Sequence, residues 1–168
     1  NIKLPAPAPY GIADTDESAI LVLDAHTIEL PANLNTLTQA DAVAYMRYLS
    51  VANRRGYTHR RITPDTLARL EDGTAVIAGW LNGDSASGPA NTALDKVQLL
   101  ALFAALIGVK PAVAAAREAW GDTTLTTLAP FIQKVAVPSP TRALESWDKQ
   151  LLKGLRSRIT ALADEETV

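Results

Sequence analysis

Residues 45–61 hold the densest group of side chains that could recognise a ligand. Arginines and tyrosines alternate there, and residues 42–61 contain five arginines and no acid. Arginine binds phosphate or carboxylate through a planar fork of N–H donors, and tyrosine can stack on nucleic-acid bases. The segment passes through a short turn at Gly56, loosely like a helix-turn-helix. The candidate interaction residues are Arg47, Arg54, Arg55, Tyr57, Arg60 and Arg61.

The first 41 residues carry the opposite charge. They contain one lysine and six acids, for a net charge of −5, against +5 for residues 42–61. Three of these acids, Asp14, Asp16 and Glu17, complete the candidate interaction set. A heterologous contact between subunits needs two complementary patches on one chain, so we expect the arginines to contact the acidic segment of this chain or of a neighbour. The whole chain has a net charge of −2, whereas nucleic-acid-binding domains are usually basic, so nucleic acid is the alternative partner.

Residue types that most often carry catalysis are sparse in this chain. It has no cysteine, which excludes disulfides, thiolate metal sites and cysteine nucleophiles. The two histidines, His26 and His59, belong to no metal-binding spacing, and we expect both at the surface. Ser85 and Ser87 lie in a loop that lacks the sequence of a nucleophile elbow or of a P-loop, and we interpret it as a connector. We predict no catalytic residue, no cofactor and no metal site.

The elements that position these residues can be predicted from composition and from residues that begin or end helices and strands. The chain of 168 residues is 48% hydrophobic but only 5% aromatic, which favours one helical domain with an aliphatic core. Residues 1–17, with prolines at positions 5, 7 and 9, predict an extended arm. Residues 18–31 predict a short β element, either a hairpin that turns at residues 24–26 or a strand. Residues 32–168 predict a helical domain.

Within that domain, caps and apolar spacing predict the individual helices. Thr38 with Asp41 resembles a capping box, and Thr63-Pro64-Asp65 predicts a second helix that ends at Gly73. Residues 74–82 fit a helix or a strand, and we favour the helix. We expect Asn91 to cap a central helix, with further helices at 112–120 and at 123–135, the latter interrupted at Pro130, and a last, longest one from Ser139. The apolar run 99–109 is too short to span a bilayer, and the N-terminal residues do not resemble a signal peptide.

These observations favour a protein that is mainly α, or α+β with a small β element. We expect a non-catalytic structural or assembly protein, a subunit of a larger oligomer, such as a virion component of the capsid-accessory or head–tail connector type. Its partners would be copies of itself or neighbouring subunits, without a membrane, in a virion or the cytoplasm. Two alternatives stay open: nucleic-acid binding through residues 45–61, and an enzyme or small-molecule binder whose site combines distant residues.

Overall fold

The chain is mainly α, with a small antiparallel sheet, as the sequence predicts. A computed structural model describes residues 9–14, 19–23, 29–80, 84–85 and 88–166, and side chains within 30–80 and 88–165. The helices are α1 (Gln39–Arg54), α2 (Pro89–Ile107), α3 (Val109–Trp120), α4 (Asp122–Thr127), α5 (Ser139–Arg142) and α6 (Leu151–Glu166). The strands are β1 (Pro9–Asp14), β2 (Ala19–Leu23), β3 (Glu29–Pro31), β4 (Tyr57–Thr58), β5 (Leu67–Leu70), β6 (Ala75–Ile77) and β7 (Asp84–Ser85).

Helix α1 begins at the predicted capping box. The hydroxyl of Thr38 accepts a hydrogen bond from the Asp41 backbone N–H at 3.3 Å, and the Asp41 carboxylate accepts one from the Thr38 N–H at 2.8 Å. Two backbone N–H groups that lack partners inside the helix are thereby satisfied. The buried face of α1 is apolar, and it packs against α3, α2 and β6.

Helix α2 forms the centre of the core. Every residue from 97 to 105 is buried, beneath α1, α3 and α6. Among the described helices, α2 alone is long and apolar enough to cross a bilayer by length and composition. Neighbouring helices cover α2, and this explains its composition. A helix that is apolar on most of its circumference suits the middle of a core.

Residues 63–77 form strands where the sequence suggested helices. The Thr63-Pro64-Asp65 cap begins only a 3₁₀ turn, Pro64–Thr66, after which β5 pairs with β3 on one side and β6 on the other. The predicted helix up to Gly73 and the helix favoured for residues 74–82 are therefore wrong. Gly73, with a φ of 88°, makes the turn between β5 and β6. Strand pairing on both sides of β5 outweighed the local helix signal.

The N-terminal strands pair differently from the predicted hairpin. Strand β2 pairs with β1, which lies within the range predicted as an extended arm, and β3 pairs with β5 in the body. A hairpin is present, but its two strands are β1 and β2, and the predicted pairing between residues 20–23 and 27–30 is wrong. Residues 1–8, 15–18 and 24–28 lie outside the described residues, and so does His26.

Several helix boundaries also differ from the prediction. The helix predicted at 123–135 ends at Thr127 and is followed by 3₁₀ turns at Ala129–Phe131 and Lys134–Ala136. Helix α2 begins at Pro89 with Gly88 as its N-cap residue, three positions before the predicted cap at Asn91. The long final helix is divided into α5 and α6. Between α5 and α6, the Asp148 carboxylate accepts a hydrogen bond from the Gln150 backbone N–H at 2.7 Å. This contact turns the chain just before α6 begins.

Candidate functional site

Five of the predicted interaction residues, four arginines and Tyr57, lie on one short surface segment, residues 54–61, which we call the arginine loop. The loop contains the last residue of α1, a turn at Gly56 with a φ of 89°, strand β4 and the two arginines that follow it. The side chains of Arg54, Arg55, Arg60 and Arg61 are exposed. A strand follows the Gly56 turn, so the helix-turn-helix likeness is wrong.

A buried carboxylate fixes the second half of the arginine loop. Asp95 of α2 is 0% exposed. Its Oδ2 accepts hydrogen bonds from the His59 backbone N–H at 2.7 Å and the Asn53 side-chain amide at 3.3 Å, and its Oδ1 accepts one from the Arg60 N–H at 2.9 Å. Arg60 has a φ of 73°, a conformation that non-glycine residues rarely adopt. The Asp95 contacts stabilise that conformation and leave the Arg60 side chain at the surface.

Gln98 continues the same support from the next position on that face of α2. Its Oε1 accepts a hydrogen bond from the Ile62 N–H at 2.9 Å. Its Nε2 donates to the Arg60 carbonyl at 3.4 Å and to the Ala136 carbonyl at 3.2 Å. Hydrogen bonds thus join the backbone on both sides of Arg61 to the core helix α2. They fix the loop backbone, while its arginine side chains face solvent.

His59 is a buried part of this support, and its predicted surface position is wrong. The side chain is 1% exposed, and its ring lies against Trp80, with the two centroids 4.9 Å apart. Nδ1 accepts a hydrogen bond from the Arg61 N–H at 3.2 Å, so Nε2 carries the proton and donates to the Ala78 carbonyl at 2.6 Å. Burial lowers the pKa of His59, although the Ala78 carbonyl and Asp95 both favour the charged ring.

Lys96 extends the positive surface beside the arginine loop. Its Nζ donates to the Asn53 side-chain oxygen at 2.9 Å and lies 5.9 Å from the centre of the Trp120 ring. Burial lowers the pKa of Lys96, and the nearby charge of Arg54 lowers it further, whereas Asp95 raises it. Because Lys96 contacts Asn53, the residue directly before Arg54, these two cations lie in the same region of the surface.

Arg47, Tyr45 and Tyr48 do not join the arginine loop. Arg47 lies on α1 and pairs at 3.8 Å with Glu118 of α3, in an ion pair whose side chains are 60% and 59% exposed. Tyr45 and Tyr48 are buried, and their hydroxyls donate to the carbonyls of Ala68 and Ile77 at 2.7 and 3.4 Å. These two rings therefore cannot stack on bases, while Tyr57 in β4 is half-buried.

The acidic half of the predicted contact is only partly described. Asp14 is the last residue of β1, and β2 begins at Ala19. Asp16 and Glu17 fall between these strands in the sequence and lie outside the described residues. A contact between these acids and the arginine loop therefore stays a prediction.

Two residues that position the loop, Asp95 and Gln98, were not predicted from the sequence. The available signal was a lone carboxylate within the apolar stretch that begins at Leu94, because a buried charge needs specific partners. Within the described part of the chain, no three His, Asp or Glu side chains form a group that could hold a metal ion. An open depression of about 310 Å³ lies elsewhere, between the end of α2 and residues 146–151.

Comparison with protein families, with curated proteins and with solved structures finds no match to this chain.

Proposed function

We propose that the protein is a non-catalytic assembly protein whose arginine loop binds an acidic segment of a neighbouring subunit. The observation that carries the proposal is the combination of four exposed arginines with a backbone fixed by buried side chains. Arg54 and Arg55 are placed by the end of α1, and Arg60 and Arg61 by their backbone contacts with Asp95, Gln98 and His59.

The support beneath the loop favours binding because it lowers the entropy lost on association. A flexible basic segment must be ordered when a partner binds, and that ordering weakens the observed affinity. Here the backbone is already ordered by hydrogen bonds to core residues. Each arginine can also bind a carboxylate through two parallel hydrogen bonds, which fixes orientation as well as charge.

The distribution of charge favours another copy of this chain as the partner. Residues 42–168 hold fifteen Lys and Arg against twelve Asp and Glu, a net charge of +3, whereas residues 1–41 have a net charge of −5. The acids Asp14, Asp16 and Glu17 are the candidate ligands of a neighbouring arginine loop. Contacts of this head-to-tail type build rings when the rotation between subunits closes, and filaments when it does not. A ring or shell of a virion is one setting for such contacts.

Binding to a nucleic acid receives less support from the site. Successive backbone N–H groups around an αL residue often bind external anions. In this loop, however, the N–H groups of His59 and Arg60 already bind the carboxylate of Asp95. The burial of Tyr45 and Tyr48 removes two of the rings that base stacking would use.

The proposal is tested by the mass of the protein in solution, measured by light scattering at low and high salt. The wild type should form a discrete oligomer that loosens in high salt, since salt screens exposed charges. Arg60→Glu/Arg61→Glu and Arg54→Glu/Arg55→Glu should each abolish it. The matched control is Lys149→Glu/Lys153→Glu, which makes the same charge change at exposed positions on and before α6 and should leave the oligomer intact.

Three results would contradict the proposal. A monomer at both salt concentrations would exclude self-assembly, and an oligomer that survives both arginine reversals would exclude the loop from the interface. Binding of a labelled single-stranded DNA that is lost in Arg60→Glu/Arg61→Glu, without any oligomer in the wild type, would assign the loop to nucleic acid.

A further inference from the structure

Both ring nitrogens of His59 are used, and only one protonation state fits them. The carbonyl of Ala78 can only accept, so Nε2 must donate, and the N–H of Arg61 can only donate, so Nδ1 must accept. A second proton on the ring would sit on Nδ1 and face the Arg61 N–H. Two donors would then oppose each other inside a site that water does not reach.

Among the residues whose side chains the structure describes, few charged groups face this ring. From α2, the carboxylate of Asp95 lies against the His59 backbone and favours the imidazolium. From the segment after β6, the Ala78 carbonyl and the Trp80 ring are neutral. On its own segment, Arg60 and Arg61 carry exposed guanidinium groups. Burial outweighs Asp95 and lowers the pKa of His59, so the ring is neutral at neutral pH.

We propose that His59 makes the arginine loop sensitive to acid: the neutral ring holds Arg61 in place, and the protonated ring releases it. The hydrogen bond from the Arg61 N–H to His59 spans Arg60, which has a φ of 73°. Its loss removes one of the contacts that hold Arg60 in this conformation. Released from the ring, the second half of the loop relaxes towards ordinary backbone conformations. The consequence for partner binding rests on the function proposed above, whereas the change in the loop does not.

Protonation of His59 should weaken binding through the loop about fivefold, the effect of losing one backbone hydrogen bond of ordinary strength. The pH at which this happens lies below the usual pKa of histidine, since burial lowers the pKa of His59. Exposed carboxylates of a partner ordinarily have pKa values about two units below that of histidine. Comparison with His59→Asn, which does not titrate, separates the weakening from any titration of the acidic partner.

The direct test is nuclear magnetic resonance of the protein carrying His26→Gln, in which His59 is the only histidine. The imidazole and the Arg61 amide are followed from about pH 7.5 to about pH 4.5, a range that brackets the ordinary pKa of histidine. Both should change with one midpoint, and the Arg61 amide should lose protection from hydrogen exchange below it. In His59→Asn, whose side-chain oxygen can still accept from Arg61 but does not titrate, the amide should stay unchanged. His59→Gln serves as a second variant.

An Arg61 amide that does not respond while His59 titrates would overturn the inference, and so would a ring that stays neutral throughout. Light scattering over the same pH range separates this inference from the proposed function. Coupled titration in a protein that never associates would support the loop change and contradict assembly. Association that is equally strong on both sides of the His59 midpoint would overturn the link between them.

Discussion

Asp95 Oδ2 lies 2.7 Å from the backbone nitrogen of His59, which precedes it by 36 positions, and both side chains are closed to solvent. A buried carboxylate beside a buried histidine resembles part of a catalytic arrangement, but here the carboxylate binds the histidine's backbone and not its ring. The ring instead contacts Ala78 and Arg61. The pair therefore determines where the chain runs after β4, and its effect at the surface is the position of the arginines.

Asp95→Ala should lower the free energy of unfolding by about 3 kcal/mol, because it leaves buried N–H groups of His59 and Arg60 without an acceptor. The measurement is urea denaturation followed by circular dichroism. Asp65→Ala, an acid-to-alanine change at an exposed position, is the control and should cost less than about 0.5 kcal/mol. Equal losses in the two variants would show that Asp95 does not support the loop.

Arg69→Met should make stability less dependent on acid. Partial burial raises the pKa of Asp41, but the Arg69 guanidinium at 2.8 Å and the Thr38 contacts together outweigh it and lower the pKa below its usual value. A depressed folded pKa adds stability at neutral pH, and this is lost as the pH falls through the folded pKa. The variant should be about 1 kcal/mol less stable at neutral pH, and the difference from wild type should shrink below about pH 4.

The check on this prediction is a series of urea titrations from neutral to acidic pH. Arg158→Met, at an exposed arginine of α6, is the control and should show a constant small difference at every pH. If the difference in free energy of unfolding between wild type and Arg69→Met stays the same in acid, the ion pair with Asp41 is excluded as its cause.

Gly79→Ala should destabilise the protein more than Gly73→Ala. Both glycines have positive φ, 80° and 88°, so each alanine should cost about 1 kcal/mol in backbone strain. At Gly79 the added Cβ would also lie 3.4 Å from the Thr66 methyl group and 3.6 Å from His59 Nε2, whereas nothing lies within 4 Å at Gly73. Thermal unfolding of the two variants measures the difference, and the reverse order would contradict the packing around His59.

Tyr45→Phe should lower stability by about 1 kcal/mol without changing partner binding, since the hydroxyl donates to the Ala68 carbonyl inside the core. Tyr57→Phe, at the half-buried tyrosine of the arginine loop, is the matched control and should leave stability nearly unchanged. Both measurements use urea denaturation, with light scattering for association. Loss of association in Tyr45→Phe at unchanged stability would return Tyr45 to the interaction surface.

Local signals in the sequence predicted the helices well where packing agreed with them. The Thr38–Asp41 capping box acts within one turn of chain, and it was confirmed. The Thr63-Pro64-Asp65 signal is equally local, but it produced a single turn. Strands β3 and β6 lie on both sides of β5, and no property of residues 63–70 alone could reveal them.

The candidate site was predictable in its surface charges and not in its support. Arg54, Arg55, Arg60 and Arg61 stand out in the sequence because charge is a property of each residue. The depth of His59 could not be seen, because it depends on Asp95, which follows 36 positions later in the chain. A carboxylate inside an apolar helix indicates that some buried partner exists, but it does not identify the partner.

Gln98 also limits the order in which the chain can fold during synthesis. It bonds to the carbonyl of Arg60, 38 positions earlier, and to that of Ala136, 38 positions later. Contacts between such distant residues form late, after the loops between them have closed. The arginines of the loop therefore emerge from the ribosome before α2 has been synthesised. The full set of Gln98 contacts with the loop and with Ala136 cannot form until Ala136 has been added to the growing chain.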